Sequence, residues 1–345
     1  MNCLIIMDPY ISIPPEHYGG IERVIADVAE VLACRGHQLT LWAAPGSKIN
    51  GRVESFGREG EWTWWSNVRN MTRLAGRFVV DASRFDVVHN FGRLAYLLPI
   101  LRTKLPKVQT YMRTVDSANM TKARRLGAQR LHYTAVSGWV KSVGETGGGD
   151  WSVVYNCAVP GRYRFVADTD PLTAPLVFLG RLDRIKGPHH AIAVAKRLGR
   201  RLIIAGNVST LPHEREYFER EVAPRIDGDL ITYIGPADDE QKRTLLGQGA
   251  AMLLPVEGPD AFPIVVPESM MCGTPVIAFP AGGIPEGIDH GRTGFLCRTV
   301  EEMTSAVNRL GEIDRAVVRA EAVRRFSDEA VASGYERVYE RLVGA

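Results

Sequence analysis

The sequence predicts two doubly wound α/β domains in tandem, each a parallel sheet covered by helices. Three observations carry this. Short apolar runs alternate with amphipathic segments along most of the chain. That rhythm restarts after turn-rich stretches at Asn156–Gly161 and Asp168–Pro175. The length, 345 residues, exceeds one ordinary core and suits two.

Taken in order, Leu4–Met7 is the first strand, ended by Asp8-Pro9. Gly20–Arg35 is a helix with Ile21, Val24, Ile25, Val28 and Leu32 on one face. Strands follow at Gln38–Ala43, Asp86–His89, Lys107–Tyr111 and Leu131–Val136. After the turn-rich region come a strand at Leu176–Leu179, a helix at Pro188–Leu198, a strand at Arg201–Ala205 and a helix at Arg215–Ile226. Leu230–Ile234 is a strand, Asp239–Gly247 a helix, Ala251–Pro255 a strand, Pro267–Cys272 a short helix and Pro275–Phe279 a strand. Ser327–Leu342 closes the chain as an amphipathic helix, with Ser327 and two acids at its start. The expected division is 1–160 for the first domain and 161–326 for the second, with the helical segment 327–345 packing back on the first.

A net charge of +3 and the absence of a basic block argue against a nucleic-acid partner. The five cysteines are scattered, without metal-ligand spacing, which suits free thiols in a reducing compartment. The N-terminus lacks a basic leader, and no window reaches the roughly 20 apolar residues of a membrane helix, so a cytoplasmic location is expected. Residues 61–78 hold three tryptophans followed by Arg69, Arg73 and Arg77 on one helical face. They suit an acceptor-side or peripheral-membrane patch, or a solvated basic face beside tryptophans tucked under a loop.

Three stretches carry chemistry. In EHYGGIERV, Gly19 and Gly20 open a helix just after the first strand, where free amides suit an anion; a tight turn needs the same glycines. In FLGRLDRIKGPHHA, Arg181 and Lys186 follow Gly180 at the end of a strand, as a phosphate clamp or as a solvated loop. In DAFPIVVPESMMCGTP, Asp260 and Glu268 bracket an apolar run, and Glu257 lies just upstream. Pro267 suits the first turn of a helix, whose dipole favours the Glu268 charge whether or not a ligand sits there.

The order of these motifs resembles the retaining GT-B glycosyltransferases of the family 4/group 1 type. It runs Gly-Gly before a helix, G-R-x-x-x-x-K-G, an acid separated from Glu by seven residues, and MMCGTPVIAFPAGGIPEGIDHGRTGFL. The resemblance implies two Rossmann-like domains facing across a cleft, and transfer of a sugar from a nucleoside diphosphate sugar to a hydroxyl acceptor. Neither a metal nor another cofactor is implied. Gly19, Gly20 and Gly180 are implied to lie at the donor, with Arg181 and Lys186 neutralising the departing diphosphate. Glu268 is implied to hold the ribose hydroxyls and Asp260 the sugar hydroxyls. The amides of Ile264 and Val265 are implied to support sugar and phosphate, and Ala237 to border the base.

The chain departs from the family pattern in places. Asp260-Ala261-Phe262-Pro263 stands where E-x-F-G is usual, and Gly258 and Pro259 lengthen the loop, which leaves Glu257 as the alternative sugar-binding acid. Met112 stands where a histidine is usual near the acceptor, followed by Arg113; Met offers neither donor nor base. His89, at a strand end, is a further acceptor-side candidate or a structural histidine. A non-catalytic nucleotide-sugar-binding homologue is the competing expectation.

Overall fold

A computed structural model describes residues 1–16, 19–58 and 63–344. The chain divides into two compact units: Met1–Cys157 with Asp328–Ala345, and Ala158–Ser327.

The first unit is built on a seven-stranded sheet. Its elements are β1 (Asn2–Ile6), α1 (Gly20–Cys34), β2 (Gln38–Ala43), β3 (Arg52–Ser55), α2 (Trp64–Asp81), β4 (Val87–Asn90), β5 (Lys107–Tyr111), α3 (Ala118–Arg125), β6 (Leu131–Ala135), α4 (Gly138–Glu145) and β7 (Asp150–Val153). The strand order is β3-β2-β1-β4-β5-β6-β7 and every pairing is parallel. Order reverses between β1 and β4, which makes the carboxyl ends of those strands the topological switch point. β3 and β7 are not among the predicted strands. Both are short edge strands with mostly half-buried or exposed residues, so neither shows an apolar run.

The second unit holds β8 (Leu176–Leu179), α5 (Pro188–Leu198), β9 (Leu202–Ala205), α6 (Pro212–Tyr217), β10 (Ile231–Tyr233), α7 (Asp239–Gln248), β11 (Ala251–Leu254), α8 (Val265–Met271), β12 (Val276–Ala278), β13 (Gly294–Leu296), α9 (Val300–Val307) and α10 (Arg315–Phe326). Its six parallel strands run β10-β9-β8-β11-β12-β13, with the switch point between β8 and β11. The helix expected at Arg215–Ile226 begins earlier, with Pro212 at its first position, and widens into a π-helical turn at Phe218–Val222. Pro224 supplies no amide, so an α-helix does not continue through it. β13, α9 and α10 are further elements that the apolar pattern did not reveal.

The last helix, α11 (Asp328–Val343), belongs to the first unit and packs on α1. It buries Val331, Ala332, Tyr335, Val338 and Tyr339. Arg35, just past α1, binds Glu329 and Glu336 of α11, and His37 lies 2.8 Å from Glu336. Residue 345, the end of the predicted segment, lies outside the described residues.

α2 corrects the reading of the tryptophan-rich stretch. Trp64 and Trp65 are not under a loop: they are 66% and 74% exposed, edge to face against each other. Arg77 does not share an open basic face with Arg73. It donates to the carbonyls of Glu54 and Ser55 and lies over the Trp42 ring. Trp62 lies outside the described residues. Among the described residues, no helix is long and apolar enough to cross a membrane.

Candidate active site

The second unit brings the predicted acids and cations to the carboxyl ends of β8 and β11, neighbours in the sheet. β8 ends at Leu179, and Gly180 turns the chain into Arg181. A side chain on Gly206, at the end of β9, would meet the Gly180 carbonyl at 1.7 Å, so the two loops touch through backbone. Arg181 is half exposed, and its guanidinium lies 2.9 Å from Asp183. Asp183 is buried, and that burial raises its carboxyl above the usual range, against the pull of Arg181.

Lys186 ends a single tight turn, Arg184–Lys186, and Gly187 follows in the left-handed region at φ 69°. Any Cβ on Gly187 would sit 2.0 Å from the Pro255 carbonyl. The turn therefore lies directly against the loop that leaves β11. That loop delivers Asp260, whose carboxylate accepts from Lys186 Nζ at 2.6 Å. The Asp260 carbonyl accepts from Gly283 N at 2.8 Å, and a Cβ on Gly282 would approach that carbonyl to 2.2 Å. The Gly-Gly of AGGIPE thus has a packing reason: it seats the acid loop.

The loop passes through half-buried Pro263, Ile264 and Val265 into α8, with Ile264 as its N-cap. Glu268, in the first turn, is 4% exposed. Its Oε1 accepts from Tyr163 Oη at 2.7 Å and from Lys242 Nζ at 2.6 Å. No described residue bonds its Oε2. Lys242 stands on α7, whose N-cap Asp238 forms a capping box with Gln241. Half-buried Ala237 immediately precedes that cap. Tyr163 and Lys242 are site residues that sequence reasoning missed. Lys242 lies 26 positions from Glu268 on another helix, and Tyr163 105 positions away. No local pattern links either to that acid.

Glu257, the alternative acid, does not face Lys186. Its carboxylate lies 2.9 Å from His190 Nε2 and 3.2 Å from His189 Nε2. The loop thus separates its two acids: Asp260 goes to the lysine and Glu257 to the histidine pair.

In the first unit, Gly19 is the N-cap of α1 and makes no side-chain cap; a Cβ there would meet Pro15 at 2.7 Å. Gly20 begins the helix. Glu22, in the first turn, is buried, and burial holds its carboxyl above the usual range. Met112 and Arg113 follow β5, the first half-buried and the second exposed.

His89 is not an open acceptor-side group, contrary to that expectation. It is fully buried at β4, with Nδ1 2.5 Å from Tyr339 Oη and Nε2 2.6 Å from Thr110 Oγ1. Burial drives its pKa down to about 3. α11, which is distant in sequence, covers it.

Residues 18–158 match the description "Glycosyltransferase Family 4", and residues 174–312 match "Glycosyl transferases group 1". The chain belongs to the group 1/family 4 glycosyltransferases. A D-inositol 3-phosphate glycosyltransferase of Pseudarthrobacter chlorophenolicus is 33% identical over 135 residues, 37% of this chain and 31% of that protein. One from Corynebacterium aurimucosum is 28% identical over 314 residues, 76% of this chain and 72% of that protein. The matched stretch thus spans under a third of the first relative's length. Among solved structures, Anabaena HepE in complex with UDP-glucose aligns with a TM-score of 0.74 at 18% identity, over 99% of this chain and all of that one. The group 1/family 4 chain described here has the GT-B pair of α/β domains.

Proposed function

We propose that this chain transfers a sugar from a nucleoside diphosphate sugar to a hydroxyl acceptor, with retention at the anomeric carbon and without a metal in the transfer step, in the cytoplasm. One observation carries the reading: Arg181 and the Lys186–Asp260 pair stand at the β8/β11 switch point, beside an acid loop seated on glycines. Open parallel sheets bind ligands at such a point. The Anabaena relative's complex with UDP-glucose supports the same class of donor.

The Lys186–Asp260 ion pair describes a resting arrangement that the donor would exchange. The diphosphate takes the Lys186 ammonium, and Asp260 is released to accept from sugar hydroxyls. Arg181 offers a planar fork to the same diphosphate. Charge grows on the leaving diphosphate as the glycosidic bond breaks, so fixed cations there stabilise the transition state more than the ground state. Glu268 keeps Oε2 for a ribose hydroxyl, while Lys242 and Tyr163 hold its other oxygen. The amides of Ile264 and Val265 lie at the loop's entry to α8, next to the sugar, and Ala237 lies beside the base. In the same-face reaction implied by the family resemblance, the leaving phosphate oxygen takes the acceptor proton, so a methionine at position 112 is compatible with turnover.

Wild type should gain thermal stability from one nucleotide family in a panel of UDP, GDP, ADP and TDP with their sugars. Glu268→Gln should lose that gain. Lys186→Ala should keep its unfolding midpoint and lose about 10²–10³ in kcat. Stabilisation by no nucleotide would overturn the donor site. Donor binding without turnover on any hydroxyl acceptor would favour the binding-homologue reading that Met112 and Pro263 suggest.

A further inference from the structure

The pair His189 and His190 with Glu257 has no part in the transfer described above. The two histidines occupy the first turn of α5, behind Pro188, and their rings lie 4.0 Å apart. Glu257 comes from the other side, on the loop between β11 and Asp260. The backbone holds it there: Glu257 N donates to the Ile185 carbonyl at 2.9 Å. One ligand atom from each of the three side chains falls within 4.8 Å of the others. All three side chains are partly solvent-exposed, so an ion has a path in.

We infer that His189, His190 and Glu257 form a binding site for a divalent transition metal of the zinc class, which clips the acid loop to the start of α5. Two imidazoles and one carboxylate are a donor set for such an ion, with the remaining position left to water. The outer shell fits as well. His189 Nδ1 lies 2.6 Å from Tyr217 Oη, the kind of second bond that fixes a ligating histidine's tautomer. Without metal, His189 Nε2 stands 3.2 Å from the Glu257 carboxylate while its Nδ1 faces the Tyr217 hydroxyl. With metal at Nε2, the ring is neutral, and its one proton resides on Nδ1 and is donated to the tyrosine oxygen.

The charged surroundings set the selectivity. Arg184 lies over the Tyr217 ring, Arg225 is close enough to influence His189, and the positive end of the α5 dipole is near. These oppose any cation held by charge alone, so Mg²⁺ and Ca²⁺ are disfavoured. An ion that forms strong bonds to imidazole nitrogen overcomes them. The consequence falls on the loop: Glu257 is three residues before Asp260, so metal bound there stiffens the segment carrying that acid.

The test is calorimetric titration of untagged protein with Zn²⁺, in a Cys34→Ser background because Cys34 is an exposed thiol. Co²⁺ absorption reads the ligand geometry. One equivalent of Zn²⁺ should bind, with none for Mg²⁺, and Co²⁺ should show a His-containing low-symmetry spectrum. Affinity should fall at least tenfold in both His190→Ala and Glu257→Gln. Circular dichroism melts of the metal-free variants confirm that both fold. Absence of stoichiometric binding, or binding that survives both substitutions, overturns the site. The titration uses no nucleotide, so its outcome is separate from that of the donor panel.

Discussion

At the scale of single residues, the acid loop is held by backbone approach more than by side chains. Gly187 combines a left-handed φ with a carbonyl 2.0 Å from where its Cβ would be. Gly187→Ala should therefore destabilise the second unit by about 2–3 kcal/mol, through strain plus forced displacement of Pro255. Denaturant melts would show this, and a change under about 0.5 kcal/mol would mean the loop yields freely. Arg315 is the other telling residue. Its buried guanidinium donates to the carbonyls of Val166, Gly247 and Gly249 and to Thr274 Oγ1. Burial lowers its pKa to about 10, so it stays charged at neutral pH. Arg315→Met should cost about 3–5 kcal/mol, because it strands several buried acceptors at once. An unchanged urea midpoint would refute that account.

At the scale of elements, α11 matters most to the first unit. It covers His89 through Tyr339 and ties to α1 through Arg35. Five buried side chains of α11 leave water, each stabilising by about 1.5–3 kcal/mol for the larger apolar ones. Truncation after Ser327 should therefore unfold the first unit or leave it binding hydrophobic dyes. A truncated chain with native near-ultraviolet dichroism from that unit would contradict this. The milder change Tyr339→Phe leaves His89 Nδ1 without its partner and should cost about 1–3 kcal/mol.

At the scale of the whole molecule, two histidines set an acid limit. His89 has its pKa lowered to about 3 by burial, and His132 to about 4 by burial and then Arg341. Both begin from an ordinary value of 6.5. As pH falls below that value, the unfolded chain takes up protons that the folded chain refuses. Stability therefore declines from about pH 6.5 towards the folded values. Urea midpoints at pH 7 and pH 4.5 should differ, and the difference should shrink in His132→Gln. An identical difference in the variant would remove His132 from the explanation.

The alternation of apolar runs was enough to establish two parallel α/β sheets, because a central strand covered on both faces is mostly apolar. Leu176–Leu179, apolar throughout, is found at its predicted bounds for that reason; Gln38–Ala43 and Lys107–Tyr111 are also found at theirs, although Lys107, Gln109 and Thr110 are buried polar residues. Edge strands such as β3 need no such run and stay silent in the sequence. The order of the motifs also singled out Arg181, Lys186, Asp260 and Glu268, which the structure carries on the loops after β8 and β11 and on α8. Pairing was a different matter. Whether Asp260 or Glu257 meets Lys186, that Lys242 and Tyr163 grip Glu268, that α11 seals His89, and that His190, 67 positions away, and its neighbour His189 meet Glu257 all depend on long-range packing. Hydrophobic period reports which face of an element is buried; it carries no information about which distant polar group that face will meet.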